Sequence, residues 1–291
     1  MDQAKTLKRI VKKEMMNSSR EGGTLPRVIA VTSGKGGVGK TNVVVNLAFA
    51  LTRLDKHVLV FDADVGLGNV DIMLGIAPKF NLHHILRREK EISEVIVNGP
   101  GGIKILPAAS GIQELVELST EQRLVLSEEF DILSEEFDIL LLDTGAGISS
   151  NVTYFCTAAQ DIIVVALPEP TSITDAYALM KVLSQKHAIK DFRLLVNAVK
   201  NEGEGKEVFR QLSVVADRFL PNISIDYLGH ILRDENVVKA IRHQRAVLEV
   251  YPHSKASQCF MSLSKKICDL PYVHPSGSPQ FLWRAILGGE G

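Results

Sequence analysis

The sequence predicts an α/β fold, with a doubly wound, mostly parallel sheet flanked by helices. Short apolar runs rich in β-branched residues alternate with stretches of helical periodicity, which is the element order of such a sheet. The runs are apolar at nearly every position, as expected for parallel strands buried on both faces. A 291-residue chain that is 45% hydrophobic and 23% charged has the composition of a globular protein with a large core. We therefore expect one sheet that binds its ligand at the carboxyl ends of the strands.

The individual elements follow from the same patterns. A stretch containing Ser, Gly and Pro at 17–26 predicts a linker, and a second stretch rich in Pro, Gly and Ser begins after Pro271. Helical spacing predicts helices over 41–54 and 174–187. The predicted strands are 27–33, 57–63, 103–108, 137–143, 161–168, 192–198 and 225–231.

The heptapeptide SEEFDIL occurs twice in succession, at 127–133 and 134–140. The apolar residues of the first copy have helical spacing, whereas the second copy continues into an apolar run that stops at Asp143. We predict that the first copy ends a helix and the second opens a strand, because context overrides weak local propensity. The glutamates of both copies are predicted to form a solvated face: Glu128, Glu129, Glu135 and Glu136.

Charge and cysteine usage limit the class of protein. The net charge is −1, so we expect no direct binding of nucleic acid. Residues 1–20 nevertheless carry six basic and two acidic residues, which predicts an arm that contacts something anionic. Three cysteines without a CxxC pair indicate a reducing, cytoplasmic location. No apolar run has membrane-spanning length, and no signal-peptide pattern occurs.

The stretch VTSGKGGVGKTN matches the phosphate-loop pattern G-x-x-x-x-G-K-[ST] between a predicted strand and a predicted helix. Glycines let backbone N–H groups point at phosphate oxygens, and the helix N-terminus adds a favourable partial charge. Lys40 would neutralise the β and γ phosphates, and the Thr41 hydroxyl would hold Mg²⁺. The predicted nucleotide-binding residues of the loop are Gly34, Lys35, Gly36, Gly37, Val38, Gly39, Lys40, Thr41 and Asn42.

The same glycines also fit the G-x-G-x-x-G pattern of a dinucleotide fold, with Asp62 where that fold has its ribose-binding acid. A Lys-Thr pair acts on a triphosphate and a metal but has no role on a dinucleotide pyrophosphate. A further strand ending in Asp143 suits metal-assisted phosphoryl transfer. The phosphate loop is favoured, and an NAD-binding oxidoreductase remains the alternative.

Lys35 departs from a plain phosphate loop, and KGGVGKT resembles the deviant loop of the MinD/ParA family of dimerising ATPases. The resemblance implies a MinD-like P-loop NTPase fold with ATP and Mg²⁺ as cofactors. It also implies that Lys35 reaches across a homodimer to the partner's nucleotide, so that ATP binding becomes a dimerisation switch.

FDADVGLGNVDIMLG and DTGAGIS resemble the two switch segments of the family. The resemblance implies that Asp64 positions or deprotonates the attacking water, with Lys35 and Lys40 as the other catalytic residues. Its implied metal-binding residues are Thr41, Asp62 and Asp143, and Gly147 would offer its backbone to the γ-phosphate. A scaffold that binds ATP without turnover is an alternative that an intact Asp64 disfavours.

No N-K-x-D guanine motif occurs. The resemblance places Asn197, Arg233 and Asp234 on the adenine side of the site, so ATP is preferred over GTP.

MDQAKTLKRI and PAASG resemble the flagellar-number regulators, the FlhG (FleN, YlxH) branch of the family, and the resemblance covers almost the whole chain. In this branch an N-terminal helix stimulates a signal-recognition-type GTPase, FlhF. Flagellar basal-body and transcription-regulator proteins are further candidate partners. Lys8 stands where the branch has arginine, and lysine cannot make the same bidentate contact. By composition alone the segment would be a disordered arm. The implied partner-binding residues are Asp2, Gln3, Ala4, Leu7 and Lys8.

SPQFLWRAILGG has the spacing of a short amphipathic helix. The family resemblance implies that this helix binds an anionic membrane surface in the ATP-bound dimer, and packing on its own domain is the alternative. The implied membrane-binding residues are Phe281, Leu282, Trp283 and Ile286.

The expected organisation is a basic N-terminal helix and linker at 1–26, a P-loop ATPase domain at 27–270 and a tail at 271–291. The expected function is that of a cytoplasmic ATPase that regulates flagellar number and placement, with peripheral membrane association as a dimer. A division-site or partition ATPase of the same family is the alternative.

Overall fold

A computed structural model describes residues 26–64, 69–107 and 136–271, and between the last two ranges only 121, 125, 128–130 and 133. The basic arm, almost all of the tail and part of the first switch segment lie outside the described residues.

Strands in the described residues form one sheet, as the sequence predicts. They are β1 (Arg27–Ser33), β2 (Val58–Ala63), β3 (Val97–Asn98), β4 (Lys104–Leu106), β5 (Ile139–Ala146), β6 (Asp161–Ala166), β7 (Asp191–Val199) and β8 (Ser224–Leu232). Their order is β3-β4-β2-β5-β1-β6-β7-β8, and β3 alone among them is antiparallel to its neighbour. The doubly wound, mostly parallel sheet is confirmed, with all seven predicted strands present. The two-residue β3 was not predicted, because it is too short to show a periodicity.

Helices cover both faces of this sheet. They are α1 (Lys40–Thr52), α2 (Val70–Met73), α3 (Leu82–Leu86), α4 (Ile92–Val95), α5 (Ser150–Ala158), α6 (Pro170–His187), α7 (Glu202–Phe219), α8 (Glu235–Arg242), α9 (Val247–Val250) and α10 (Lys255–Asp269). The predicted helices over 41–54 and 174–187 correspond to α1 and α6.

The core has two parts because successive strand residues point to opposite faces. Val28 and Ala30 of β1 pack with α5, α6 and α7 on one face. Ile29 and Val31 pack with α1, α9 and α10 on the other face. Each fully buried valine or isoleucine of this set stabilises the fold by ~1.5–3 kcal/mol.

The two copies of the heptapeptide differ in structure, as predicted. In the first copy the described residues Glu128, Glu129, Phe130 and Leu133 are helical, and the last two are buried. In the second copy the backbone leaves a turn at Glu136 and enters β5 at Ile139.

The prediction of a solvated glutamate face is wrong for Glu129. This residue is only 6% exposed, and its Oε2 accepts a hydrogen bond of 2.9 Å from the Ile92 backbone N–H. Ile92 is the first residue of α4, whose initial N–H groups have no partner within the helix. A surface pattern could not reveal this partner, because the two residues are 37 positions apart.

A buried ion-pair cluster ties together the amino ends of β1, β6 and β7. Asp161 accepts from Arg27 Nε at 2.5 Å and pairs with Arg193 at 2.8 Å. Arg27 also donates to the Leu270 carbonyl at 3.0 Å, just after α10. The opposite, carboxyl edge of the sheet contains the phosphate loop.

Candidate nucleotide site

The loop between β1 and α1 has the backbone that its glycines allow. Gly37 and Gly39 adopt left-handed conformations with φ of 81° and 85°, which residues with a Cβ rarely take. A Cβ on Gly34 would lie 2.0 Å from the Asp175 carbonyl oxygen of α6, so only glycine fits. The loop therefore packs on α6 and leads directly into the N-terminus of α1, the geometry of an anion-binding turn.

Lys40 lies at the base of this loop beside a buried carboxylate. Its Nζ is 3.3 Å from Asp143 Oδ1, and both side chains are almost completely buried. The Thr41 side chain is also near Asp143 and favours its ionised form. Burial raises the pKa of Asp143, and the nearby Lys40 and Thr41 offset only part of this effect.

Asp62 brings a second carboxylate to the same place. It is in register with Asp143 on the neighbouring strand, so the two side chains meet at the carboxyl edge. Its oxygens accept backbone hydrogen bonds from Asp64 and Val70, each 3.2 Å long. Burial, followed by repulsion from Asp143, raises the pKa of Asp62 to about 7. Two buried acids with raised pKa values form a site that favours a cation.

The donor set fits Mg²⁺. In the described part of the chain Asp143 Oδ2 is buried without a hydrogen-bond partner, which leaves one carboxylate oxygen for a cation or its water. Mg²⁺ prefers oxygen ligands and is usually held by one or two carboxylates together with water and substrate phosphates. Thr41, Asp62 and Asp143 would supply the protein part of such a site.

Asp64 directly follows β2 and lies close to the second switch segment. Its Oδ1 is 3.5 Å from the position that a Cβ on Gly145 would occupy. The carboxylate is therefore at the sheet edge, close to the predicted metal ligands Asp62 and Asp143. Residues 65–68, which follow it, lie outside the described residues.

Lys35 extends along the surface toward α6. Its Nζ is 3.2 Å from Thr171 Oγ1 and 3.5 Å from Glu169 Oε2, and its side chain is 41% exposed. Sequence reasoning missed both partners, although Glu169 and Thr171 closely follow a buried strand at the ligand edge, which was the available signal. The ammonium group is thus at the surface, where a second chain can reach it.

Gly147 has a φ of 89°, which suits glycine. Its backbone N–H donates to the Ser33 carbonyl at 2.8 Å. The donor predicted for the γ-phosphate is therefore already bonded to the end of β1 in this structure.

The adenine-side residues divide into two groups. Asn197 lies at the phosphate loop, where its Nδ2 donates to the Val38 carbonyl at 2.8 Å. Asp234 instead accepts from the backbone of Asn236 and Ala256, at 2.9 and 3.1 Å, and so caps α8. Burial alone would raise the pKa of Asp234. The hydrogen bonds from these N–H groups outweigh burial, so the pKa lies below its ordinary value. Arg233 is exposed beside this cap.

The residues predicted to bind a partner or a membrane lie outside the described residues. The partner-binding residues are Asp2, Gln3, Ala4, Leu7 and Lys8, and the membrane-binding residues are Phe281, Leu282, Trp283 and Ile286. Within the described ranges no helix has both the length and the apolar character to cross a bilayer.

The chain is similar to several known proteins. Residues 26–194 match a family described as AAA domain. The chain is 47% identical to the antiactivator FleN of Pseudomonas aeruginosa over 88% of this chain and 91% of FleN. It is 32% identical to the flagellum site-determining protein YlxH of Helicobacter pylori, over 80% of this chain and 78% of YlxH.

A solved structure shows the same fold. The septum site-determining protein MinD of Pyrococcus horikoshii, complexed with Mg-ADP, has a TM-score of 0.68. It is 24% identical, and the match covers 84% of this chain and 96% of MinD. The predicted MinD-like fold is confirmed.

Proposed function

The chain belongs to the MinD/ParA family of ATPases, and we propose that ATP closes two copies into a dimer that sets flagellar number and placement. Its similarity to FleN and YlxH supports a flagellar role over division-site or partition roles. Membership of this ATPase family excludes the alternative of an NAD-binding oxidoreductase. The observation that carries the proposal is Lys40 beside the buried pair Asp62 and Asp143, directly under a glycine loop.

Hydrolysis follows from charge placement at this edge. Backbone N–H groups of the loop and the Lys40 ammonium bind the β and γ phosphates, which lowers the cost of placing negative charge there. Thr41, Asp62 and Asp143 would hold Mg²⁺, which would supply further charge neutralisation at the phosphates. Asp64 orients a water molecule for in-line attack and accepts its proton.

Lys35 completes the site of a second copy. Its exposed ammonium leaves Glu169 and Thr171 and contacts the partner's phosphates when two loops face each other. Cationic charge from a second chain stabilises the charge that develops during phosphoryl transfer, so turnover is coupled to dimerisation.

Lys40→Ala tests the nucleotide site directly. Loss of a buried cationic phosphate contact is expected to abolish measurable ATP binding in titration calorimetry. Lys265→Ala is the matched control, because Lys265 is exposed on α10 near the opposite edge of the sheet. Unchanged ATP affinity in Lys40→Ala would refute the loop assignment.

The two ends of the chain contact partners. Residues 1–26 stimulate an FlhF-like GTPase, and residues 271–291 bind an anionic membrane when the dimer pairs two tails, which raises avidity. These two segments join the domain at neighbouring points, because Arg27 donates a hydrogen bond to the Pro271 carbonyl at 3.4 Å.

Deleting residues 1–20 is expected to leave ATP hydrolysis unchanged and to abolish stimulation of the GTPase. Deleting residues 272–291 is expected to abolish co-sedimentation with anionic vesicles in the presence of ATP and to spare the stimulation. The assignment of the two ends would be contradicted if the N-terminal deletion abolished vesicle binding and the C-terminal deletion abolished GTPase stimulation. It would also be contradicted if both truncated chains kept both activities.

A further inference from the structure

Two helix ends meet at the end of the first switch segment (61–75). α2, which lies in that segment, ends before a left-handed Gly75 with a φ of 63°, and α8 ends before a left-handed Gln244 with a φ of 53°. In both helices the backbone N–H after the left-handed residue bonds to a carbonyl of the last turn, at 2.9 Å in α2 and at 3.1 Å in α8. These are the bonds of a Schellman helix ending, in which glycine is the usual left-handed residue.

The side chain of Gln244 joins the two helix ends. Its Nε2 donates a hydrogen bond of 2.9 Å to the Ile72 carbonyl, near the end of α2. A Cβ on Gly75 would lie 3.3 Å from Gln244 Oε1 and 3.4 Å from Gln244 Cβ, so the backbone of Gly75 packs against this side chain. The left-handed conformation is costly for a residue with a Cβ, and glycine would form the same helix ending at lower cost. What glutamine adds at this position is the bond to α2.

The chain that follows Gln244 is anchored in the core. Ala246, Val247 and Leu248 have no exposed surface, and the Leu248 N–H donates to Asn46 Oδ1 at 3.2 Å. Asn46 is itself fully buried on α1, the helix that begins at the phosphate loop. Gln244 therefore extends from a fixed support toward α2.

The other end of α2 contacts a predicted metal ligand. Val70, the first residue of α2, is fully buried and donates its N–H to Asp62 Oδ2 at 3.2 Å. A helix of four residues has too few internal bonds to hold its own conformation, so its position depends on contacts with the rest of the fold. A shift of the end that Gln244 holds would therefore also move the Val70 N–H away from Asp62.

We propose that Gln244 is a positioning residue for the metal-binding end of the nucleotide site, because it holds α2 where the Val70 N–H points at Asp62. The inference rests on the proposed nucleotide site and extends it to a side chain outside the predicted ligand set. A residue that only ends α8 would be replaceable by glycine, whereas a residue that positions α2 needs its amide donor.

Three variants of the full chain separate these two roles without any ligand. Gln244→Gly favours the left-handed backbone but removes the side chain, and Gln244→Glu keeps the length but presents no donor to the Ile72 carbonyl. Amide hydrogen exchange of Val70 is expected to be about 2-fold to 10-fold faster in both variants, the range for loss of one hydrogen bond. Gln244→Lys restores a donor and is expected to leave this exchange rate unchanged.

The last turn of α8 provides an internal reference. In Gln244→Gly its amides are expected to exchange no faster than in the unaltered chain, because glycine is preferred at this helix ending. Ala188→Gly is the matched control, since it also replaces an exposed left-handed residue, with a φ of 55°, at the end of α6. It is expected to leave the exchange of Val70 unchanged.

Turnover of MgATP is the second measurement. Gln244→Gly and Gln244→Glu are expected to lower kcat by about 2-fold to 10-fold, because fewer chains have Asp62 in position at a given moment. The affinity for ATP is expected to change little, since the phosphate loop and Lys40 are unaltered. Ala188→Gly is expected to match the unaltered chain in both quantities.

Unchanged exchange of Val70 in Gln244→Gly would overturn the inference, and so would an equal acceleration in Gln244→Lys. A Gln244→Gly chain that melts lower and exchanges faster throughout α8 would also overturn it, since the side chain would then serve the fold alone. If the unaltered chain shows no ATP turnover, the proposed function fails, and the exchange of Val70 still decides whether Gln244 positions α2.

Discussion

At the scale of single residues, pattern and position predicted the acids that meet at the sheet edge. Asp62 and Asp143 each end an apolar run, and strand order then brings them into register. The pattern could not predict the contacts of Asn197 or Glu169. These contacts depend on a bulge in β7 and on the packing of α6, neither of which leaves a periodicity in the sequence.

Asp62 is expected to make the stability of the ligand-free chain depend on pH. Its pKa is raised from 3.8 to about 7, so between these values the folded chain holds a proton that the unfolded chain has released. The contribution of this group to stability is therefore fully present below about pH 4 and is lost as the pH rises through 7. The loss is at most about 4 kcal/mol, and smaller if titration is shared with Asp143.

Thermal melts from pH 4 to pH 8 without nucleotide or Mg²⁺ measure this effect. Asp62→Asn is expected to flatten the decline and to melt higher than the unaltered chain at pH 8. Asp71→Asn, which alters a half-buried carboxylate in the same part of the chain and keeps its side-chain acceptor for the Ile72 N–H, is the control. An unaltered chain whose stability does not decline between pH 4 and pH 7 would contradict the prediction.

At the scale of elements, apolar runs predicted the central strands because those strands are buried on both faces. Register, bulges and the short β3 were beyond the sequence pattern, since they depend on pairing between distant segments. The duplicated heptapeptide shows the same limit, because identical residues form helix in one copy and lead into a strand in the other. The surrounding structure decides which conformation each copy adopts. It also places the Glu129 carboxylate at the first N–H of α4.

The duplication provides its own control for the buried glutamate. Glu129→Ala removes the acceptor for the first N–H of α4 and is expected to lower the free energy of unfolding by ~1–3 kcal/mol. Glu136→Ala changes the equivalent, exposed residue of the second copy and is expected to cost less than about 0.5 kcal/mol. Urea denaturation of both variants measures the difference, and equal costs would show that Glu129 contributes no more than a surface residue.

At the scale of the whole molecule, the sheet separates two kinds of contact. Its carboxyl edge contains the loop, the acids and Lys35, whereas the Arg27 cluster at its amino edge holds the point where both ends of the chain leave the domain. The proposed nucleotide site and the points where residues 1–26 and 272–291 join the domain are therefore at opposite edges, so the proposed dimerisation through the loop edge would not involve those points.

Dimerisation is the prediction on which this arrangement depends. Multi-angle light scattering of the unaltered chain is expected to give the mass of one chain without nucleotide and of two with MgATP. Asp64→Ala is expected to stay dimeric after ATP is added, because the water is no longer oriented and hydrolysis does not release the partner. Lys35→Ala is expected to bind ATP with little change in affinity but to remain a single chain, because its charge acts on the other copy. Lys265→Ala should behave as the unaltered chain, and a mass that stays constant at saturating MgATP would refute the coupling of nucleotide to dimer.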